Sequence, residues 1–389
     1  MKQNVVRIMK NSLAVAALSV SGGVAHAQSS VSLYGIVDDS LRYVSNVGGH
    51  SLLAVTMTHG GRWGFLGSED LGGGLKTVFQ LENGFDINSG VLGQGGRMFG
   101  RQAWVGLSSG KWGTVKFGRQ YDPTVDLVSP LTADGTWGAT FTTPGDVDNN
   151  DASSRANNSL KYVSPLLAGL QFEALYALGG VAGATGAGQT LSAAASYSTG
   201  ALSLAAGYLR MDNPLPTAAA FRSTWAGSSD GTFDGGPANI GYKTARSIQI
   251  ASAAAQYVIG NVTFGLRYSN AQYLPDAQST FTSKQKYNTG AGHVTWWLTP
   301  AAALGLGYVY THASGDASAT YNQVSLGGDY LLSKRTDVYL KGAWQHVSGE
   351  QRNGAGRLMP AVASVSDFGG YTSNSPNQTL VSVGIRHRF

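Results

Sequence analysis

From Val31 onward, apolar and polar side chains alternate along the chain with a period of two. Odd positions read Val31, Leu33, Gly35, Val37, Asp39, Leu41, Tyr43, and even positions read Ser32, Tyr34, Ile36, Asp38, Ser40, Arg42. One face of the segment is mostly apolar and the other mixed to polar, as in a strand whose two sides meet different solvents. The pattern returns at the C-terminus, where Val381, Val383, Ile385, His387 and Phe389 alternate with Ser382, Gly384, Arg386 and Arg388. Sixteen such segments are predicted, near 31–44, 60–68, 74–86, 99–108, 113–121, 157–165, 169–179, 189–198, 201–211, 246–258, 261–271, 286–298, 301–313, 319–332, 336–347 and 378–389. Most run about 9 to 14 residues, against about 5 to 6 in globular proteins, and a tilted strand needs about 9 to 11 to cross a bilayer.

The links between segments alternate in length. Seven are short, at 69–73, 109–112, 166–168, 199–200, 259–260, 299–300 and 333–335. The other eight are mostly longer, notably 45–59, 87–98, 122–156, 212–245 and 348–377. An even number of antiparallel strands puts both termini on the short-turn side, the arrangement of an outer-membrane barrel with periplasmic turns and external loops. Hydrocarbon offers no partner for backbone donors and acceptors, so a sheet spans a membrane only by closing on itself. The expected fold is therefore all-β: a 16-stranded antiparallel transmembrane barrel. Aromatic residues near the segment ends suit interfacial girdles: Trp63, Trp104, Trp112, Tyr121, Trp296, Trp297, Tyr308, Tyr310, Tyr339, Trp344 and Phe389.

Composition agrees with that reading. Only 13% of the 389 residues are charged, there are 54 glycines, and there is no cysteine, so disulfides, Cys-ligated metals and thiol nucleophiles are excluded. The N-terminus reads as a secretory signal: Lys2, Arg7 and Lys10, then an apolar stretch from Leu13 to Val20, then the small-x-small site Ala25-His26-Ala27. Cleavage is expected after Ala27, leaving residues 28–389 as a single transmembrane domain. Removing three cations from the 27 basic residues leaves 24 against 22 acidic. The overall charge of +5 is thus partly borrowed from the leader, and nucleic-acid binding loses its main support.

A sixteen-stranded barrel is too wide for its own side chains to fill, so the lumen holds water unless a segment enters it. The 122–156 link carries Leu127, Val128, Leu131, Trp137 and Phe141 together with Asp122, Asp126, Asp134, Asp146, Asp148 and Asp151. An unpartnered external loop seldom carries that apolar set, so this third loop is expected to fold inward. Arg62, Arg101, Arg119 and Arg155 fall near the external ends of the second, fourth, fifth and sixth strands. A guanidinium facing lipid costs about 2 to 4 kcal/mol at mid-membrane, so these arginines should face the lumen. Set against Asp122, Asp126 and Asp134 of the loop, they would create a transverse field and select solutes by size and charge. Arg42, Lys76 and Glu82 are further lumen candidates.

The motifs carry a family resemblance. Ser30-Val31-Ser32-Leu33-Tyr34-Gly35, the run from Arg62-Trp63-Gly64-Phe65-Leu66-Gly67 through Ser68-Glu69-Asp70-Leu71-Gly72-Gly73-Gly74-Leu75, Phe79-Gln80-Leu81-Glu82, Arg101-Gln102-Ala103-Trp104-Val105-Gly106-Leu107, Phe117-Gly118-Arg119-Gln120, Asn157-Asn158-Ser159-Leu160-Lys161-Tyr162 and the terminal Gly384-Ile385-Arg386-His387-Arg388-Phe389 occur in order. The chain so resembles the general diffusion porins of Gram-negative outer membranes, in their betaproteobacterial branch. The resemblance implies a homotrimer of barrels in outer-membrane lipid and lipopolysaccharide, each pore narrowed by its third loop, passing small hydrophilic solutes. It implies a basic constriction at Arg62, Arg101 and Arg155 with Arg119 beside them, and a C-terminal Phe389 read by the barrel-assembly machinery. The lumenal position after Tyr34-Gly35, basic in some relatives, is Ile36 here.

Rival chemistry finds little support. Gly106-Leu107-Ser108-Ser109-Gly110 and Gly227-Ser228-Ser229-Asp230-Gly231 spell a nucleophile elbow, but neither leads from a strand into a helix. Asp146, Asp148 and Asn150 have calcium-loop spacing, but Asp151 replaces the required glycine and Asn157 stands where a bidentate Glu belongs. The seven histidines show no metal-binding spacing. A passive pore with no catalysis, metal or cofactor is expected. The alternative is an adhesion or binding protein that uses loops 212–245 and 348–377 on a barrel scaffold.

Overall fold

The computed structural model describes residues 29–214, 222, 225, 233, 235–365 and 371–389, so the expected leader and the Gly227–Gly231 spelling lie outside the described residues. The strands are β1 (Ser30–Val47), β2 (His50–Thr56), β3 (Gly61–Gly72), β4 (Leu75–Phe85), β5 (Gln102–Ser109), β6 (Gly113–Gln120), β7 (Ala156–Val163), β8 (Leu170–Ala177), β9 (Thr190–Thr199), β10 (Leu202–Asp212), β11 (Ser247–Ile259), β12 (Val262–Leu274), β13 (Gln285–Thr299), β14 (Ala302–Ser314), β15 (Ala319–Leu331), β16 (Thr336–Arg352), β17 (Leu358–Pro360) and β18 (Asn377–Arg388). All pairings are antiparallel and join sequence neighbours, except that β1 pairs β3 as well as β2, and that β18 pairs both β16 and β1 and so shuts the barrel. β17 is a short external spur that pairs only with the end of β16.

The barrel has sixteen wall positions, because β2 and β3 share one. β1 pairs β3 along Ser30–Ile36 and β2 along Ser40–Val47, with residues 57–60 interrupting the second strand. The link at 45–59, expected as a long external loop, is therefore mostly strand: Leu53 and Val55 alternate onto the outer face, and the turn itself is Gly48-Gly49, both at positive φ. A glycine pair at Gly60-Gly61 reads as a loop end, but here it marks a break within one wall strand.

Side-chain direction follows the pleat. In β1 the outward Val31, Leu33 and Leu41 are 63%, 58% and 54% exposed, whereas the inward Asp38, Ser40 and Arg42 are buried. Trp296, Tyr308, Tyr310 and Trp344 point outward as expected of lipid-facing aromatics. Four residues expected at the interface lie inside instead. Trp104 pairs in register with Gln80 on the inner face, and the Lys116 ammonium sits 4.5 Å from its ring. Tyr121 and Tyr339 are buried in the lumen, and Trp297 packs against Ala133, Trp137 and Phe141. Each lies near a strand end, which a girdle residue also does, so position along the strand does not separate the two cases.

The long external links do not stand free. The described part of 212–245 joins an aromatic core at the mouth, where Trp225, Phe233 and Tyr242 pack with Tyr273 and Tyr287 of the wall and Val147 of the third loop. The last link dips into the barrel over Ala361–Val365. Three inward glutamines hold its backbone: Gln351 accepts from Val362 N at 3.1 Å, Gln345 from Ser364 N at 2.7 Å, and Gln378 from Val365 N at 3.0 Å.

Candidate functional site

The third loop leaves the wall at Tyr121 and rejoins it at Ala156. Asp122 caps the short helix Pro123–Leu127 by accepting from Thr124 N at 2.8 Å, with proline at the first helical position. Thr132 caps Ala133–Trp137, and Gly138 ends it at φ 80, a conformation that suits glycine.

The loop then runs along the inner wall, pinned strand by strand. Lys161 of β7 holds Asp126 and lies 2.8 Å from Glu173 of β8. Arg267 of β12 pairs with Asp148, and Tyr273 donates to Val147 O at 3.1 Å. Trp137 donates to Thr295 at 2.9 Å, and its ring occupies the space that side chains at Gly305 and Gly327 would fill. Phe141 covers Gly307 in the same way. Gln323 donates to Thr140 O at 3.1 Å, and Lys341 of β16 donates to Trp137 O at 2.6 Å while touching His59. An inward loop was expected from its apolar residues; the glycine seats on β14 and β15 show how the wall receives them.

A second cluster lies on the inner faces of β1 and β3 to β6. There Arg101 Nε donates to Glu82 Oε1 at 2.7 Å, Tyr34 donates to Glu82 Oε2 at 2.8 Å, and Gln80 donates to the Tyr34 hydroxyl at 2.6 Å. Arg155 donates to the Tyr121 hydroxyl at 2.8 Å and to Ser153 O at 2.9 Å. The Tyr121 ring lies 4.8 Å from the Arg155 guanidinium and 5.9 Å from that of Arg101, a cation–π clamp on both. Arg62 points inward opposite Ile36 and makes no ion pair among the described residues. It lies within electrostatic range of Arg101, Arg155 and Glu82. Three guanidiniums thus converge with one carboxylate among them.

Arg119 is placed differently. A ladder irregularity after Gly118 turns it aside, and it donates to Gly100 O at 2.7 Å and to Asn157, tying β6 to its neighbours. Arg42 is inward but tied down: it donates to Ser382 at 2.9 Å and Met57 O at 3.0 Å, and lies 5.6 Å from the Tyr371 ring. Lys76 is exposed near the periplasmic end, across from Asp70. Phe389 exchanges backbone hydrogen bonds of 3.1 Å with Gly35, completing closure.

The loop acids also divide. Asp122, expected to line the constriction, is buried and engaged as a helix cap, with Asn149 donating to its second oxygen at 3.0 Å. Asp126 binds the wall through Lys161. Asp134 shares a hydrogen bond with Asp151, and burial, followed by the charges of Asp146 and Asp148, pushes its pKa up to about 7. Burial and the adjacent Asp134 hold Asp151 well above the usual carboxylate range, partly offset by Arg155 and Arg101. The loop carboxyl within electrostatic range of Arg155 and Arg101 is therefore Asp151, with Asp134 adjoining it. From sequence Tyr121 reads as a girdle aromatic and Asp151 as one of several loop acids, neither as part of the constriction; the signal for Asp151 is its place four residues before Arg155, where the loop turns back to the wall.

A family model described as Gram-negative porin matches residues 14–350. An outer-membrane porin protein of Bordetella pertussis is 29% identical across 98% of this chain and 100% of its own length. Outer membrane porin protein 32 of Delftia acidovorans is 28% identical, again across 98% and 100%. Among solved structures, the anion-selective porin from Comamonas acidovorans superposes with a TM-score of 0.70 at 23% identity, covering 93% of this chain and 100% of that one. The trimer form of OmpT from Vibrio cholerae gives 0.64 at 16% identity, covering 93% and 99%.

Proposed function

The chain belongs to the Gram-negative porin family and forms an outer-membrane channel, and from that premise we propose that its lumen is a passive filter favouring small hydrophilic anions. Solutes diffuse down their gradients with no covalent step and no cofactor. The observation that carries the preference is the convergence of Arg62, Arg101 and Arg155 around Tyr121, with Glu82 as the one wall carboxylate ion-paired to them among the described residues. The Asp134–Asp151 pair opposite is incompletely ionised near neutral pH, so the arginine bank dominates and draws anions, and the transverse field across the lumen strengthens as the pair ionises. Similarity to a porin described as anion-selective supports this reading.

The same premise supports a homotrimer in outer-membrane lipid, since a related porin is described in a trimer form. It also supports Phe389 as the residue presented to the assembly machinery. Single-channel recording in planar bilayers tests these points together. We expect conductance steps grouped in threes and an anion-favouring reversal potential across a KCl gradient. Replacing Arg62, Arg101 and Arg155 together by Gln should move that potential toward cation preference, and an unmoved potential would sink the filter. The adhesion alternative needs loops free at the surface, whereas the described parts of 212–245 and 348–377 pack onto the barrel.

A further inference from the structure

We propose that a groove on the outer wall across β13–β18 is a binding site for an anionic phospholipid of the periplasmic leaflet. The groove has a volume of about 630 Å³, with Gly328 and Gly342 in its floor and Leu304, Leu326, Leu340 and Trp296 on its sides. Its lining is apolar, as a site for an acyl chain must be.

The floor glycines carry the first part of the argument. Gly305 and Gly327 are glycines because Trp137 fills their space from inside, where an added Cβ would lie 2.3 and 2.4 Å from its ring. Gly328 and Gly342 have no such reason. An added Cβ would meet nothing nearer than 3.8 Å at Gly328 and 3.5 Å at Gly342, and neither residue has a positive φ. Neither backbone conformation nor internal packing requires glycine there, and what their smallness creates is the groove in the lipid-facing wall.

Position and charge select the occupant. β15 descends to the periplasmic turn at 332–335 and β16 rises from it, so Gly328 and Leu340 lie in the periplasmic half of the span. Directly below, Lys334 and Arg335 are exposed in that turn, and His387 on the outer face of β18 contacts Thr336 at 2.9 Å. An apolar channel ending at two exposed cations matches a phospholipid with acyl chain above and anionic headgroup at the rim. A second copy of the chain would cover the apolar part but leave the cationic rim without a partner.

Native mass spectrometry of the intact protein in non-ionic detergent, titrated with palmitoyl-oleoyl phosphatidylglycerol and in parallel with the phosphatidylcholine of the same chains, tests this. Wild type should retain phosphatidylglycerol over phosphatidylcholine. The filled variant Gly328→Leu/Gly342→Leu should lose that retention at unchanged conductance, and Lys334→Gln/Arg335→Gln should lose the headgroup preference alone. Equal retention by the filled variant overturns the site, and a change in its oligomeric state reassigns the groove to a subunit contact. If the filled variant does not fold, the turn variant decides by itself: an unchanged preference for phosphatidylglycerol refutes the proposal.

Discussion

At the scale of single residues, four arginines of one sequence pattern have two roles. Alternation made Arg62 legible as inward, since Trp63 and Phe65 take the other face. It could not separate Arg119 from the rest, because a ladder irregularity resets the parity after Gly118. Arg119→Gln should leave ion selectivity unchanged and lower thermal stability. It strips a buried carbonyl of its donor, at a cost of about 1–3 kcal/mol, read as a lower unfolding temperature of the folded barrel. The carboxyl pair makes a different prediction. Its raised pKa means that the seated loop holds a proton that a displaced loop would release, so seating is firmest below the ordinary value of 3.8 and is lost progressively as pH rises from there to about 7, above which it levels off. Protonation also removes negative charge from the loop bank, so anion preference should increase as pH falls from 8 to 5. Asp134→Asn should flatten that dependence in reversal-potential measurements; an unaltered slope would place the titrating group elsewhere.

At the scale of elements, strands were the legible part because their period is written in every other residue. The third loop was legible as inward-folding from Leu127, Val128, Leu131, Trp137 and Phe141, but its course was not. That depends on seats formed by glycines more than 160 residues away in sequence, Gly305, Gly307 and Gly327. The seats imply that Trp137 is the chief apolar anchor of the loop on the far wall. Trp137→Ala removes its packing and its bond to Thr295, a change that costs about 3–5 kcal/mol in a packed core. The wall strands keep their own hydrogen bonds, so the expected outcome is not an unfolded barrel. Heat-modifiable mobility on gels should stay near wild type while open-channel noise and spontaneous closures increase; quiet wild-type traces would show that the other loop anchors suffice.

At the scale of the whole molecule, closure follows from arithmetic on the sequence: sixteen membrane-length segments with both ends on the short-turn side leave the last strand beside the first, as β18 lies beside β1. How far the external links fill the mouth does not follow from that count. A surface loop and a lumen-filling loop have the same length and similar composition, and they differ only in whether the wall offers partners. Here it does. Gln345, Gln351 and Gln378 are each spaced for the inner face of a strand, and together they clasp Ala361–Val365 against β16 and β18. Removal of the last loop should therefore change conductance. Ala361–Val365 are buried inside the barrel on the wall that also carries Lys341, whose amine holds the third-loop tip at Trp137 O. Deleting residues 353–376 and joining the strands by a short turn takes that segment out of the lumen while β16 and β18 keep their ladder from Thr336 to His346. Single-channel conductance of the deletion variant should therefore rise above wild type, with trimer-sized steps retained. Equal conductance would mean that the third loop alone sets the resistance of the pore, and that the glutamine clasp serves only to close the mouth.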